Sequence, residues 1–170
     1  MIDVGSGGWG RSSVTAVASL YVVRHAHAGT RGEYDGPDEE RPLTDRGWRQ
    51  ARGLVEVLGD VGITRLLTSP YVRCRQTLEP LGEALGLPVE VDERLAEGSG
   101  FGPVLDLAEE LREAPAVLCS HGDVIPDLLE ALVRRGMELQ DPARWPKGST
   151  WVLVRDEEGF VKGRFIPPPA

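Results

Sequence analysis

The sequence is poor in several features that would each have fixed its class. Of its 170 residues only two are cysteines, Cys74 and Cys119. That excludes a disulfide framework and suits a reducing compartment, so the expected location is cytoplasmic. No run reaches the 18 or so apolar residues that a membrane-crossing helix needs. The opening stretch MIDVGSGGWGRSSVTAVASL has no charged segment ahead of a solid apolar one and does not read as a signal peptide. Basic residues number 19 against 27 acidic ones, for a net charge of −8. This balance disfavours nucleic acid or an acidic membrane as a partner of the whole surface. Any anionic substrate must therefore be held by cations gathered locally. Only three histidines occur, and there is no internal repeat and no linker between domains.

What is present is ordinary for a globular chain: 41% hydrophobic and 27% charged residues, at a length that suits one domain. The expected organisation is a loose Gly/Ser-rich segment over 1–16 and a single domain over 17–166, with PPPA as a short tail. SLYVVRH reads as a buried strand. After a polar loop, Thr44 is placed to cap a helix, with Leu43 and Trp48 as a hydrophobic staple. Trp48, Ala51, Val55 and Leu58 form its apolar stripe and Gly59 its end. ITRLLTS is a second strand. Ser69-Pro70 reads as the start of a second helix whose apolar face carries Cys74, Leu78, Leu81 and Leu85. LPVEVDERL, GPVLDLAEELREA, PAVLCSH and VIPDLLEALVRRG continue the alternation of strand and helix, with Asp123 as a cap. STWVLVRD and FVKGRFI close the chain as an antiparallel hairpin. Such alternation predicts an α/β fold: a three-layer α/β/α sandwich with a mainly parallel central sheet.

In sheets of this kind ligands bind beyond the carboxyl ends of the strands. Three polar clusters fall there: Arg24-His25 after the first strand, Ser69 to Arg73 after the second, and Ser120-His121 after the fourth. Arg24 and Arg73 offer forked donors suited to phosphate oxygens. His25 offers a ring nitrogen able to attack phosphorus, and His121 a donor for charge on the transferring group. Cations nearby depress the pKa of His25 and free its lone pair. The reaction then divides into phosphorylation of His25 and hydrolysis of the phosphohistidine.

Four blocks, YVVRHAHA, RPLTDRGWRQA, TSPYVRCRQTLEPL and VLCSHGDVIPDLL, resemble in content and order those of the histidine phosphatase superfamily, the phosphoglycerate mutase-like phosphatases. They span about Leu20 to Leu129. The resemblance implies His25 as nucleophile, Arg24 and Arg73 as phosphate-binding arginines, His121 as the second histidine and Arg31 as a further phosphate contact. It also nominates Glu97, in RLAEGSG, as proton donor. The RHAHA start, the RPLT loop and the short length resemble the SixA-like phosphohistidine phosphatases. No cofactor is implied, and the substrate would be a phosphorylated protein or a small phosphoester.

Other readings stand beside this one. His25 and His27 share a strand face and could ligate zinc, but Arg24 and Arg73 would repel a cation. Cys119 lacks the arginine six positions on that a cysteine phosphatase needs, since Ile125 stands there. Arg41 suits loop structure as well as phosphate. Asp38, Glu39 and Glu40 read as solvated surface. A phospho-ligand-binding module without turnover, and a nucleotide or small-metabolite phosphatase of the same fold, remain as alternatives. Oligomeric state is not legible.

Overall fold

The structure, a computed structural model, describes residues 19–170. The loose segment expected over 1–16 lies outside the described residues. The strands are β1 (Ser19–Arg24), β2 (Arg65–Thr68), β3 (Val89–Val91), β4 (Ala116–Ser120), β5 (Glu138–Leu139), β6 (Thr150–Asp156) and β7 (Gly159–Ile166). The helices are α1 (Asp45–Leu58), α2 (Val72–Leu85), α3 (Phe101–Glu110) and α4 (Val124–Arg134). One seven-stranded sheet runs in the order β3-β2-β4-β1-β6-β7-β5. Its β3-β2-β4-β1 half is parallel; β6 runs antiparallel to its neighbours β1 and β7, and β5 pairs parallel with β7.

Side-chain alternation along the strands builds the three layers. Leu20 and Val22 of β1 and Leu118 of β4 face one core, shared with Val104 and Leu107 of α3 and Ile125 and Leu128 of α4. Val23 and Val117 face the other, against Leu54 and Leu58 of α1 and Leu78 and Leu81 of α2. With both faces covered, the middles of the central strands are apolar on both sides, as a parallel sheet requires. The α/β/α sandwich anticipated from the sequence is the fold. No helix among the described residues is long and apolar enough to cross a membrane.

The Thr44 cap is present, its hydroxyl accepting from Gly47 N, and Leu43 and Trp48 pack together with Ala26, Ala28 and Ala51. Other boundaries differ. α2 begins at Val72 with Tyr71 in the cap position, because Ser69 turns its hydroxyl toward His121 while accepting from Tyr71 N. Asp123 sits before α4 without capping it, since its carboxylate accepts from Gly98 N instead. The short strand β5 was not anticipated. The PPPA tail is not free: Pro168 lies against Gly148, and Pro169 against Gly53 of α1.

α1 approaches the loop after β1 so closely that a Cβ on Gly47 would stand 2.0 Å from the His27 carbonyl oxygen. Gly47→Ala should therefore cost about 1–3 kcal/mol in urea-unfolding stability, as overpacking against fixed backbone does. Gly32→Ala, where a Cβ meets nothing within 4 Å, should stay within about 0.5 kcal/mol of wild type.

Candidate active site

Sheet register brings the predicted residues together. Arg24 at the end of β1 pairs with Ser120 at the end of β4. Thr68 of β2 pairs with Cys119. The residues that follow, His25, Ser69 and His121, thus leave the sheet side by side. All six residues nominated from the sequence, Arg24, His25, Arg31, Arg73, Glu97 and His121, line one cleft of about 630 Å³.

His25 is buried, with 4% of its surface exposed. Its Nδ1 lies 2.8 Å from the Ala26 carbonyl oxygen. A carbonyl only accepts, so Nδ1 carries the proton and Nε2 keeps its lone pair. Ala26 is fixed in turn: its N–H donates to Thr77 Oγ1, and the Thr77 hydroxyl donates to the Arg73 carbonyl. Burial pushes the His25 pKa well below its ordinary value. The bond to Ala26 opposes this, while His121, Arg73 and Arg24 add to it. The imidazole is therefore neutral at pH 7 and nucleophilic at Nε2.

His121 meets His25 edge-on, with ring centroids 5.5 Å apart. Its Nε2 lies 2.8 Å from Ser69 Oγ. Ser69 Oγ accepts from Tyr71 N, and its hydroxyl is placed to donate to His121 Nε2, the tautomer that puts the His121 proton on Nδ1. That Nδ1 is buried and without a hydrogen-bond partner. Glu97 Oε1 stands 3.4 Å away, out of line for a hydrogen bond. Arg24 Nε and Arg73 Nε are likewise buried and unpartnered. Three unpaired buried donors on residues of one cleft are the signature of an anion site.

Arg73 is 1% exposed. Its guanidinium donates to the Asp38 carbonyl, to Asp38 Oδ2 at 3.0 Å and to Glu97 Oε1 at 3.0 Å. Arg31, largely exposed, reaches Glu97 Oε2 at 2.7 Å. Arg24 donates to the Trp145 carbonyl and lies flat on Gly122, where a Cβ would come within 2.8 Å of its guanidinium carbon. The glycine between His121 and Asp123 is what lets Arg24 into the cleft. Arg41 belongs to the loop: it binds Asp38 and the carbonyls of Ala28 and Gly29.

The zinc reading of His25 and His27 does not fit this geometry. The His27 ring bonds Thr44 Oγ1, away from the cleft, while the His25 ring bonds Ala26. Among the described residues no three His, Cys, Asp or Glu side chains are grouped to hold a metal ion. Cys74, expected as a buried thiol, is buried and directs its S–H toward the Ser120 carbonyl.

Sequence reasoning missed four contributors. Asp38, read as solvated surface, is the counter-ion of Arg73 and Arg41. Ser69, read as a helix cap, orients His121. Trp145 and Lys147 line the cleft although their segment carried no motif. They arrive because β6 is antiparallel to β1, so its beginning lies beside the end of β1. Gly148 N donates to both the Arg24 and His25 carbonyls, at 3.1 Å each.

Residues 20–114 match the family described as Histidine phosphatase superfamily (branch 1), and the chain belongs to that superfamily. It is similar to the 8-oxo-(d)GTP phosphatase of Mycolicibacterium smegmatis, 35% identical over 156 residues that make up 89% of this chain and 48% of that protein. It thus spans about half of that relative. It is also similar to the phosphohistidine phosphatase SixA of Escherichia coli, 37% identical over 71 residues, 41% of this chain and 42% of that one. Among solved structures it resembles the protein histidine phosphatase SixA complexed with tungstate, with a TM-score of 0.68 and 26% identity over 89% of this chain and 96% of that one.

The His25 shift makes stability pH-dependent. The unfolded imidazole takes a proton below its ordinary pKa of 6.5, and the folded one takes it only at lower pH. The unfolded state then binds more protons, so unfolding free energy should fall as pH drops from 6.5 toward the depressed native value, by up to about 1.4 kcal/mol per pH unit. Urea unfolding of wild type and His25→Gln from about pH 7 to about pH 5 should show a steeper fall in the wild type.

Proposed function

We propose that this chain is a phosphatase that works through a phosphohistidine on His25. The observation that carries the reading is the His25 tautomer: Nδ1–H bonded to Ala26, Nε2 free among two arginines and a histidine. In the first step the Nε2 lone pair forms a bond to phosphorus, and the bond from phosphorus to the leaving group breaks with its electron pair. Arg24, Arg73 and the Nδ1–H of His121 bind the equatorial oxygens, and Arg31 adds a contact at the rim. In the second step water attacks phosphorus, the P–N bond breaks, and neutral His25 and inorganic phosphate are restored.

Glu97 handles the protons. It is the one carboxylate among the described residues in contact with both Arg73 and His121. It gives a proton to a basic leaving group and takes one from the attacking water. No cofactor enters the scheme, and chelators should leave the rate unchanged.

The substrate is a phosphohistidine-bearing protein or a small phosphoester, acted on in the cytoplasm. The likeness to SixA supports the first, and a departing imidazole needs less acid assistance than an alkoxide. A nucleotide substrate is the second reading, favoured by likeness over 89% of this chain to a phosphatase named for 8-oxo-(d)GTP. We read residues 17–166 as one catalytic domain.

His25→Ala should lower kcat on p-nitrophenyl phosphate by roughly 10³-fold or more. Unchanged turnover would overturn the reading, whereas a wild type that binds phosphate esters without turning them over would leave a phosphate-binding module. Glu97→Gln should lose about 10²-fold on an alkyl phosphate and much less on p-nitrophenyl phosphate, whose leaving group needs little protonation.

A further inference from the structure

Lys147 is a cation for which the reaction above has no use. It is half-buried and lines the same cleft as His25. The three cations Arg31, Arg41 and Arg73 are matched by Asp38 and Glu97. Among the described residues Lys147 is in no ion pair, and its one hydrogen bond is through its backbone carbonyl, to Gln50. Burial, then Arg24, Arg41, Arg73 and Arg46, lower its pKa. Its ammonium thus faces other cations and no paired carboxylate, an arrangement that an incoming anion relieves.

Its position is built, not incidental. The next residue, Gly148, has φ +87° and donates to the carbonyls of Arg24 and His25, and a Cβ on it would stand 3.1 Å from Gln50 and 3.2 Å from Pro168. Two residues earlier, the Trp145 carbonyl accepts from Arg24. The backbone on both sides of Lys147 is therefore tied to the residue that would attack phosphorus and to its neighbouring arginine. Arg24, Arg73 and His121 suffice for the equatorial oxygens of one phosphoryl group. A further ammonium on a residue of the same cleft fits a second anion on the same substrate.

We propose that Lys147 is a specificity residue that binds a second anionic group, phosphate or carboxylate, on the leaving portion of the substrate beside the transferred phosphoryl group. This rests on the phosphatase reading and, between the substrates it leaves open, favours phosphoanhydrides and small phosphoesters with an adjacent anion over a protein phosphohistidine. A leaving group without such a charge, such as p-nitrophenol or a neutral imidazole, gains nothing from Lys147.

The test is a ratio of kcat/KM values measured in one protein sample, so that the fraction of active protein cancels. Adenosine diphosphate and 2-carboxyphenyl phosphate are each compared with p-nitrophenyl phosphate, in wild type, Lys147→Gln and Lys147→Arg. The proposal predicts that at least one ratio falls about 10- to 100-fold in Lys147→Gln and recovers in Lys147→Arg, the size expected for one charged hydrogen bond. The arm that falls identifies the anion as phosphate or carboxylate. Ratios that stay level, or that fall without recovery by arginine, overturn it. If they stay level while p-nitrophenyl phosphate turnover still depends on His25, the Lys147 assignment alone is lost. If the wild type turns over none of the three, the phosphatase reading is lost with it.

Discussion

One hydrogen bond governs what this cleft can do: the proton that His25 Nδ1 gives to the carbonyl of Ala26. It selects the tautomer, aims Nε2 into the cleft, and holds the ring where burial keeps it neutral. The acceptor is backbone, and the Ala26 peptide is pinned to α2 through Thr77. Strand β1 is locked on one side by β4 and on the other by β6. The orientation of the His25 ring is thus set by the centre of the sheet, where packing on both sides leaves little room to shift.

Charge organisation follows from that geometry. The protein as a whole is acidic, with a net charge of −8, yet the carboxyl ends of β1, β2 and β4 gather arginines from three elements. Burying Arg73 at 1% exposure requires counter-charge, and Asp38 and Glu97 provide it from two different loops. Glu97 links the two sides of the cleft, touching Arg31, Arg73 and the approach to His121. The same carboxylate that neutralises the arginines is therefore next to the atoms where protons must move. In the proposed reaction, removing it would disturb phosphate affinity and proton transfer together, and a comparison of leaving groups separates the two.

Much of this was legible in the sequence because it depends on short-range signals. Strand-helix alternation sets the sheet, and a polar residue directly after an apolar strand lies at a predictable edge. His25 and His121 are legible in that way, and Arg73 is legible as a first-turn residue beside the apolar stripe that begins at Cys74. Thr44 was legible because capping is local. What escaped depends on tertiary pairing. Asp38 looks like any member of an acidic run until Arg41 and Arg73 are folded over it. Ser69 looks like a cap until His121 arrives beside it and takes its proton. Lys147 sits in a loop with no motif and reaches the cleft only because β6 runs antiparallel to β1. The expected caps at Ser69 and Asp123 failed for one reason: both side chains had better partners across the fold than along the chain.

The central claim is that a neutral imidazole with Nε2 free forms the covalent intermediate. Protein with isotopically labelled imidazole nitrogens, quenched in alkali during turnover, allows the phosphorus–nitrogen coupling to locate the bond. The account predicts phosphate on Nε2 of His25. Phosphate on Nδ1, on another residue, or on none during sustained turnover would contradict it.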